Sequence, residues 1–208
     1  YLLVKPKGWK PTKTSAAPGE PAVWPDFVCL SKGISGGYLP LSLVLTRDEI
    51  YRVFLDDDIA RGFLHSHSYT GNALACRAAL AVLDRFAEDD VIARNRAPAA
   101  ALSAALAPLA EDERIEHLRQ RGMIWAFDVR EPHAGERFAE RFHLAGRAWG
   151  LLVRPIGRTV YLMPPYVLDD ELAVWLAART LDTLEQTLAD AARAAPHHVA
   201  RTPEPPTA

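Results

Sequence analysis

Cysteine is scarce: two occur, Cys29 and Cys76, each inside an apolar run. Neither has metal-ligand spacing, and both read as small buried hydrophobes more readily than as a disulfide. No stretch approaches the roughly 20 apolar residues that span a bilayer. The N-terminus also lacks the charged-then-apolar layout of a signal peptide, so the expectation is a cytoplasmic chain with no membrane partner. There is no excess of either charge, since the formal net charge is -2 and both signs are interleaved. A face able to neutralise phosphates is therefore missing, and nucleic acid is not an expected partner. No internal repeat is visible. What is present is a globular composition, 49% hydrophobic and 24% charged over 208 residues, enough for one core or two small ones.

Along the chain, the apolar start Tyr1-Leu2-Leu3-Val4 gives way to a Lys-, Pro-, Gly- and Ser-rich stretch without periodicity, predicting loop or disorder up to Trp24. Phe27 to Leu30, the glycine-bearing stretch Ser31 to Gly37, and Leu39 to Thr46 predict strand, turn and strand. Arg47 to Phe54 reads as helical, and Asp56 to Ser68 as an irregular loop. After Asn72, the residues Leu74, Ala78, Val82 and Phe86, with Ala75, Ala79 and Leu83 alongside, predict one buried helical face. A second helix is expected from Val91 to Leu109, with Pro98 starting a new turn or bending it. Gly122 to Val129 suits a strand and Glu136 to Trp149 a helix. Leu151 to Val153 and Thr159 to Met163 suit two more strands. Asp169 can cap a last helix with a stripe of Val174, Ala177, Leu181, Leu184 and Leu188. The proline-rich tail from Ala191 is expected to be disordered.

Three strings could carry chemistry. Lys32 follows an apolar strand and precedes Gly33, which would hold an amine at a strand end, and a partly buried, neutral amine can attack an aldehyde. Taken alone, a lysine beside a glycine is more often a solvated surface residue. His65-Ser66-His67-Ser68-Tyr69-Thr70-Gly71-Asn72 precedes a helix, where hydroxyls and unpaired N–H groups suit a phosphate. The His-x-His pair has no third ligand nearby, so no metal is expected. Arg154, before Pro155, sits on a segment biased to extended backbone and could fork onto a carboxylate, or form a surface ion pair. Trp125 and Trp149 read as core or interface aromatics.

The string Pro25 to Leu41, with Cys29-Leu30-Ser31-Lys32-Gly33 and Gly36-Gly37-Tyr38-Leu39-Pro40-Leu41, resembles the cofactor-lysine segment of class III pyridoxal-phosphate aminotransferases. Its close form, and Val153-Arg154-Pro155 with Met163-Pro164-Pro165-Tyr166, is similar to the biotin-pathway branch, the diaminopelargonic acid synthases. The resemblance implies an α/β fold, the C-terminal half of a fold-type I transferase. Residues 1–24 would be divergent, 25–88 the remainder of the cofactor-binding large domain, 89–190 the small C-terminal domain, and 191–208 a tail.

It further implies that pyridoxal 5'-phosphate is the cofactor, with Lys32 catalytic and cofactor-binding. Ser68 would present its hydroxyl to the cofactor phosphate of a partner subunit in a homodimer, and the Lys32 amine would point into a cleft shared with the Ser68 loop. Arg154 and Gly33 would bind substrate. The reaction implied is amino transfer to 7-keto-8-aminopelargonate from S-adenosylmethionine or lysine. Alternatives are another class III ω-aminotransferase and a non-catalytic remnant. The family's Asp-Glu-x-x-x-Gly-x-Gly-Arg-Thr-Gly stretch should begin near Leu3, yet Lys5 to Pro21 carry no such motif and no aspartate precedes Asp26. The expectation is a truncated chain, inactive alone, whose reading frame is altered over that stretch.

Overall fold

The structure is a computed structural model that describes residues 2–4, 25–65 and 67–194. The loop expected at Lys5 to Trp24 and the tail beyond Ala194 lie outside the described residues. The chain divides into two compact units, Tyr1–Asp90 and Val91–Ala208.

The first unit carries a three-stranded sheet in which the strand Leu2–Val4 (β1) runs parallel to Ser42–Thr46 (β3). Phe27–Ser31 (β2) pairs antiparallel on the other side of β3, with Phe27 opposite Thr46 and Ser31 opposite Ser42. Between β2 and β3 the chain makes a 3₁₀ turn, Lys32–Ser35, and β3 leads into a short helix, Asp48–Arg52 (α1). A 3₁₀ turn at Ile59–Arg61 interrupts the following loop. The helix Ala73–Glu88 (α2) starts at Asn72, whose side-chain oxygen accepts from the N–H groups of Leu74 and Ala75 at 3.0 and 3.1 Å.

The inward face of α2 runs through Ala75, Ala79, Val82 and Phe86, at helical spacing. Leu74 and Leu83, expected on that face, are 74% and 52% exposed. Each lies about a quarter of a helical turn from the buried stripe, so the apolar pattern is broader than the surface it covers here. Cys29 corrects the reading of both cysteines as buried: it is exposed and Cys76 half-buried, and both are free thiols.

The second unit is an antiparallel meander, Ile115–Arg121 (β4), Ile124–Val129 (β5) and Thr159–Leu162 (β6), covered by helices. Val91–Arg94 (α3) and Arg96–Ala105 (α4) replace the single helix expected to Leu109, which closes with a 3₁₀ turn at Ala107–Ala110. Glu131–Ala134 (α5), Phe138–Ala148 (α6) and Asp170–Ala194 (α7) follow. Leu151 to Val153, expected as a strand, pairs with no strand among the described residues: the Leu151 N–H returns to the Gly146 carbonyl at the end of α6, 2.9 Å away. Residues 191–194 continue α7 instead of joining the tail.

The core of this unit is one cluster that includes Leu102, Leu106, Trp125, Phe127, Val129, Phe138, Phe142, Val160 and Leu184. Along α7 the inward stripe is Ala173, Ala177, Thr180, Leu184 and Leu188, with Thr183 and Thr187 beside it, whereas Val174 is 55% exposed. The three threonines bond their hydroxyls to the helix's own carbonyls four residues earlier, at 2.6–2.7 Å. That satisfies each buried oxygen locally and leaves its methyl to pack. Gly146 marks the close approach of α6: a Cβ there would lie 3.1 Å from the Leu151 carbonyl oxygen and 3.5 Å from the Thr183 methyl.

Arg114, at the start of β4, forks onto Asp112 at 2.7 and 2.9 Å and also reaches Glu185 of α7. Its hydrogen bonds hold the Asp112 carboxyl below the ordinary carboxylate value. The stabilisation from a depressed carboxyl is complete above the unfolded value of about 4 and is lost as pH falls through the folded value. Asp112→Asn is therefore expected to lower the thermal midpoint by about 2–4 °C at pH 7. The difference should shrink as pH falls below about 4, which thermal unfolding across the acid range measures.

Candidate functional site

Lys32 is the residue at which β2 stops. Ser31 is still extended, with φ -156° and ψ -170°, and Lys32 turns abruptly to φ 53°. A left-handed backbone is uncommon for a residue with a Cβ and persists where neighbours determine it. The neighbours here form a tight turn: the Gly36 N–H bonds the Gly33 carbonyl at 3.0 Å, and the Tyr38 N–H bonds the Ser35 carbonyl at 3.2 Å. Gly36 has φ 61°, and a Cβ on it would lie 3.1 Å from a Val82 methyl of α2, so the turn rests on that helix. Lys32 is exposed, and its side-chain amine has no hydrogen bond or ion pair among the described residues. Beside it in the chain, a Cβ on Gly33 would meet no heavy atom within 4 Å, so the backbone there borders open space.

Ser68 is exposed in the turn leading to α2. The Thr70 N–H bonds the His67 carbonyl at 2.8 Å, the Asn72 N–H bonds the Tyr69 carbonyl at 3.1 Å, and the Tyr69 N–H lies 3.2 Å from His67 Nδ1. Because Asn72 already takes the Leu74 and Ala75 donors, the first turn of α2 offers less to an anion than the sequence suggested. Ser68 and Thr70 are both exposed and bring two hydroxyls to this loop.

A cavity of about 590 Å³ lies under the same loop, lined by Phe27, Val44, Ile50, Phe54, Phe63, His65 and Thr70. Phe54 and Phe63 meet edge to face, 5.5 Å between ring centres. Neither Lys32 nor Ser68 lines it. It opens at the Phe27 end of β2, roughly 16 Å along the strand from Lys32 at the rise of an extended chain. The cleft expected between Lys32 and the Ser68 loop is thus not this cavity, although the loop contributes His65 and Thr70 to it.

In the second unit, Arg154 and Arg158 flank the turn at Pro155 and Gly157. Arg158 donates to the Val129 carbonyl at 2.6 Å and lies 3.8 Å from Glu116. Arg154 is exposed and unpaired among the described residues, so its five donors are available. The sheet beside them holds a polar group centred on Asp128. Burial pushes its carboxyl up, but hydrogen bonds from Thr159, His117 and Arg119 outweigh it and the result lies below the ordinary value. His117 occupies the bulge between Glu116 and Arg119 with φ 53°. Trp125 is buried with its N–H on Ser103, 2.9 Å, as a core aromatic should be. Trp149 is 42% exposed, bonded to Gln186 and covered by the Arg179 guanidinium at 5.1 Å.

Motif reading passed over Ser35, which is 1% exposed and ties the lysine turn together. It also left one signal unused: after Thr14 every cationic residue except Lys32 is arginine. Arginine stays protonated in proteins and cannot serve as an amine nucleophile, so a lone lysine in an arginine-using chain is chemically distinctive.

The chain belongs to the aminotransferase class-III family, whose model matches residues 16–188. Among curated relatives, the adenosylmethionine-8-amino-7-oxononanoate aminotransferase of Helicobacter pylori is 46% identical over 167 residues, 78% of this chain and 38% of that protein. The crystal structure of the enzyme of that name from Methanocaldococcus jannaschii superposes with a TM-score of 0.67 at 32% identity, covering 78% of this chain and 39% of its own. An amine transaminase from an uncultivated Pseudomonas species, crystallised in its PLP-bound form, gives 0.66 at 32% identity, with 81% and 39% covered. The chain thus spans somewhat over a third of the length of these relatives. The fold is part of a PLP-dependent aminotransferase fold, mixed helix and sheet.

The Asn72 cap fixes where the Ser68 turn ends and α2 begins. Asn72→Ala should cost about 1 kcal/mol in chemical denaturation, with faster amide exchange at Leu74 and Ala75 than elsewhere in α2.

Proposed function

We propose that the chain supplies the lysine-bearing and arginine-bearing part of a pyridoxal-phosphate aminotransferase of biotin synthesis, which converts 7-keto-8-aminopelargonate to 7,8-diaminopelargonate. The observation that carries this reading is the Lys32 amine, held at a strand end on a strained backbone without any ion pair. The residues present fit the cofactor: a free primary amine for its aldehyde, open space at Gly33, and an exposed Ser68 hydroxyl for its phosphate. When bound, the cofactor supplies an electron sink for the reacting carbon. Residues 25–88 then form the remainder of the cofactor-binding domain and 89–190 the small C-terminal domain.

Lys32 Nζ holds the cofactor and afterwards moves a proton at the reacting carbon, a role open to an amine and closed to guanidinium. Gly33 keeps the substrate approach beside it free. Arg154 forks onto the acceptor carboxylate. Ser68 serves the neighbouring site in a cytoplasmic homodimer, a reading supported by the exposed apolar side chains around its loop, Leu55, Ile59, Leu64, Tyr69 and Leu74. The name of the Helicobacter pylori relative favours S-adenosylmethionine as amino donor.

A second reading, an aminotransferase acting on simple amines, is favoured by the likeness to the Pseudomonas amine transaminase. Comparing 7-keto-8-aminopelargonate with a plain ketone acceptor separates the two.

The lysine assignment is tested by adding pyridoxal phosphate to the 208-residue chain, reducing with borohydride and mapping the adduct. Label should fall on Lys32 ahead of Lys5, Lys7, Lys10 and Lys13, and the visible absorbance should fall in Lys32→Ala. Equal labelling of all five lysines would overturn the assignment. For the acceptor, Arg154→Lys keeps the charge but loses the fork. Calorimetric titration with 7-keto-8-aminopelargonate should show binding weakened about tenfold; unchanged affinity removes Arg154 from the site.

A further inference from the structure

We infer that Ser35 is a positioning residue for Lys32: its hydroxyl closes the turn that keeps the Lys32 backbone left-handed, and thereby sets where the amine stands. The inference rests on the assignment of Lys32 as the amine that holds the cofactor.

Ser35 is 1% exposed in a turn whose other polar side chain, Lys32, is exposed. A buried hydroxyl must find a partner. Ser35 Oγ donates to the Leu39 carbonyl at 2.5 Å and lies 3.4 Å from the Lys32 carbonyl. With a single proton to give, it bonds Leu39, while the Lys32 carbonyl sits at the edge of its reach. One oxygen therefore bridges the two ends of the turn. Among the described residues, Ser35 has the side chain that approaches the Lys32 carbonyl.

On the opposite side, Gly36 seats the turn on Val82, where no other residue fits without displacing that methyl. Lys32 is thus fixed from within by Ser35 and from beneath by α2. Its φ of 53° brings Cβ close to the carbonyl oxygen, a contact that an L-residue otherwise relieves by returning to negative φ. Such a rotation reorients the Cα–Cβ bond and carries the whole lysine stem with it. Releasing the turn therefore moves the amine without changing its chemistry. If Ser35 merely filled a small buried site, alanine would serve equally well.

The test compares the wild-type chain with Ser35→Ala and Ser35→Thr, using pyridoxal phosphate with borohydride as one probe and acetic anhydride as the other. Lys5, Lys7, Lys10 and Lys13 provide reference amines within the same chain. In Ser35→Ala the pyridoxal adduct on Lys32, relative to those amines, should fall about fivefold, the loss of one hydrogen bond. Acetylation of Lys32 should be unchanged, because that reagent needs only an accessible amine and no fixed orientation. Ser35→Thr, which retains the hydroxyl, should restore the adduct.

An alanine variant that traps as much cofactor on Lys32 as wild type overturns the inference, as does a threonine variant no better than alanine. If Ser35→Ala loses its far-ultraviolet circular dichroism, Ser35→Cys replaces it. Cysteine fills the volume with a weak donor, so equal adducts on the Cys and Thr variants overturn the inference too. A wild-type chain whose Lys32 labels no faster than the reference lysines overturns the lysine assignment itself, an outcome distinct from any difference between variants.

Discussion

A lysine held at φ 53° directly after a fully extended serine requires surroundings that over-determine it, and the first unit is arranged around that requirement. Pairing of β2 with β3 keeps Ser31 opposite Ser42, which fixes the point at which the chain must turn. The bonds within the turn, from Gly36 to Gly33 and from Tyr38 to Ser35, then leave little freedom in its path. Contact of Gly36 with Val82 joins the turn to α2, and the Asn72 cap defines where α2 begins. Strand register, turn, helix seat and cap thus act in series to place one side chain.

The second unit meets a different demand, that of packing a 25-residue helix on a three-stranded sheet. Three buried threonines on α7 satisfy their hydroxyls on the helix itself, so they can face the core as if apolar. Arg114 then links the first strand of the sheet to the outer side of the same helix through Glu185. Between α6 and β6 the chain forms no strand among the described residues, and Arg154 there is exposed while Arg158 is committed to the sheet. An arginine that supports the fold and one that is available to a ligand are four residues apart.

The first unit shows apolar surface beyond what a self-contained fold would leave open. Leu74, Leu80 and Leu83 on α2, and Leu55, Ile59 and Leu64 in the preceding loop, are each more than half exposed. Surface of this kind usually meets another surface. The relatives that match this chain are about twice as long.

The sequence alone determined the class of the protein, because the lysine segment and the Arg154 and Met-Pro-Pro-Tyr strings combine residue types whose local chemistry does not depend on distant packing. It also determined α2, α6 and α7 and the strands at Phe27 and Ile124, whose period and caps are local. The strand Ile115–Arg121 was not legible: its charged residues and the bulge at His117 break the alternation a strand should show. The buried stripe of α7 was misplaced toward Val174, since hydrophobicity gives no hint that a threonine can turn inward once its hydroxyl bonds four residues back. Leu151 to Val153 had the composition of a strand, yet a strand exists only where a neighbour accepts its bonds, and the nearest acceptor was the end of α6. The role of Ser35 was hidden for the same reason. A hydroxyl beside glycines reads as a solvated turn residue, and only the fold, by seating the turn on α2, buries it and aims it at the backbone of the lysine segment.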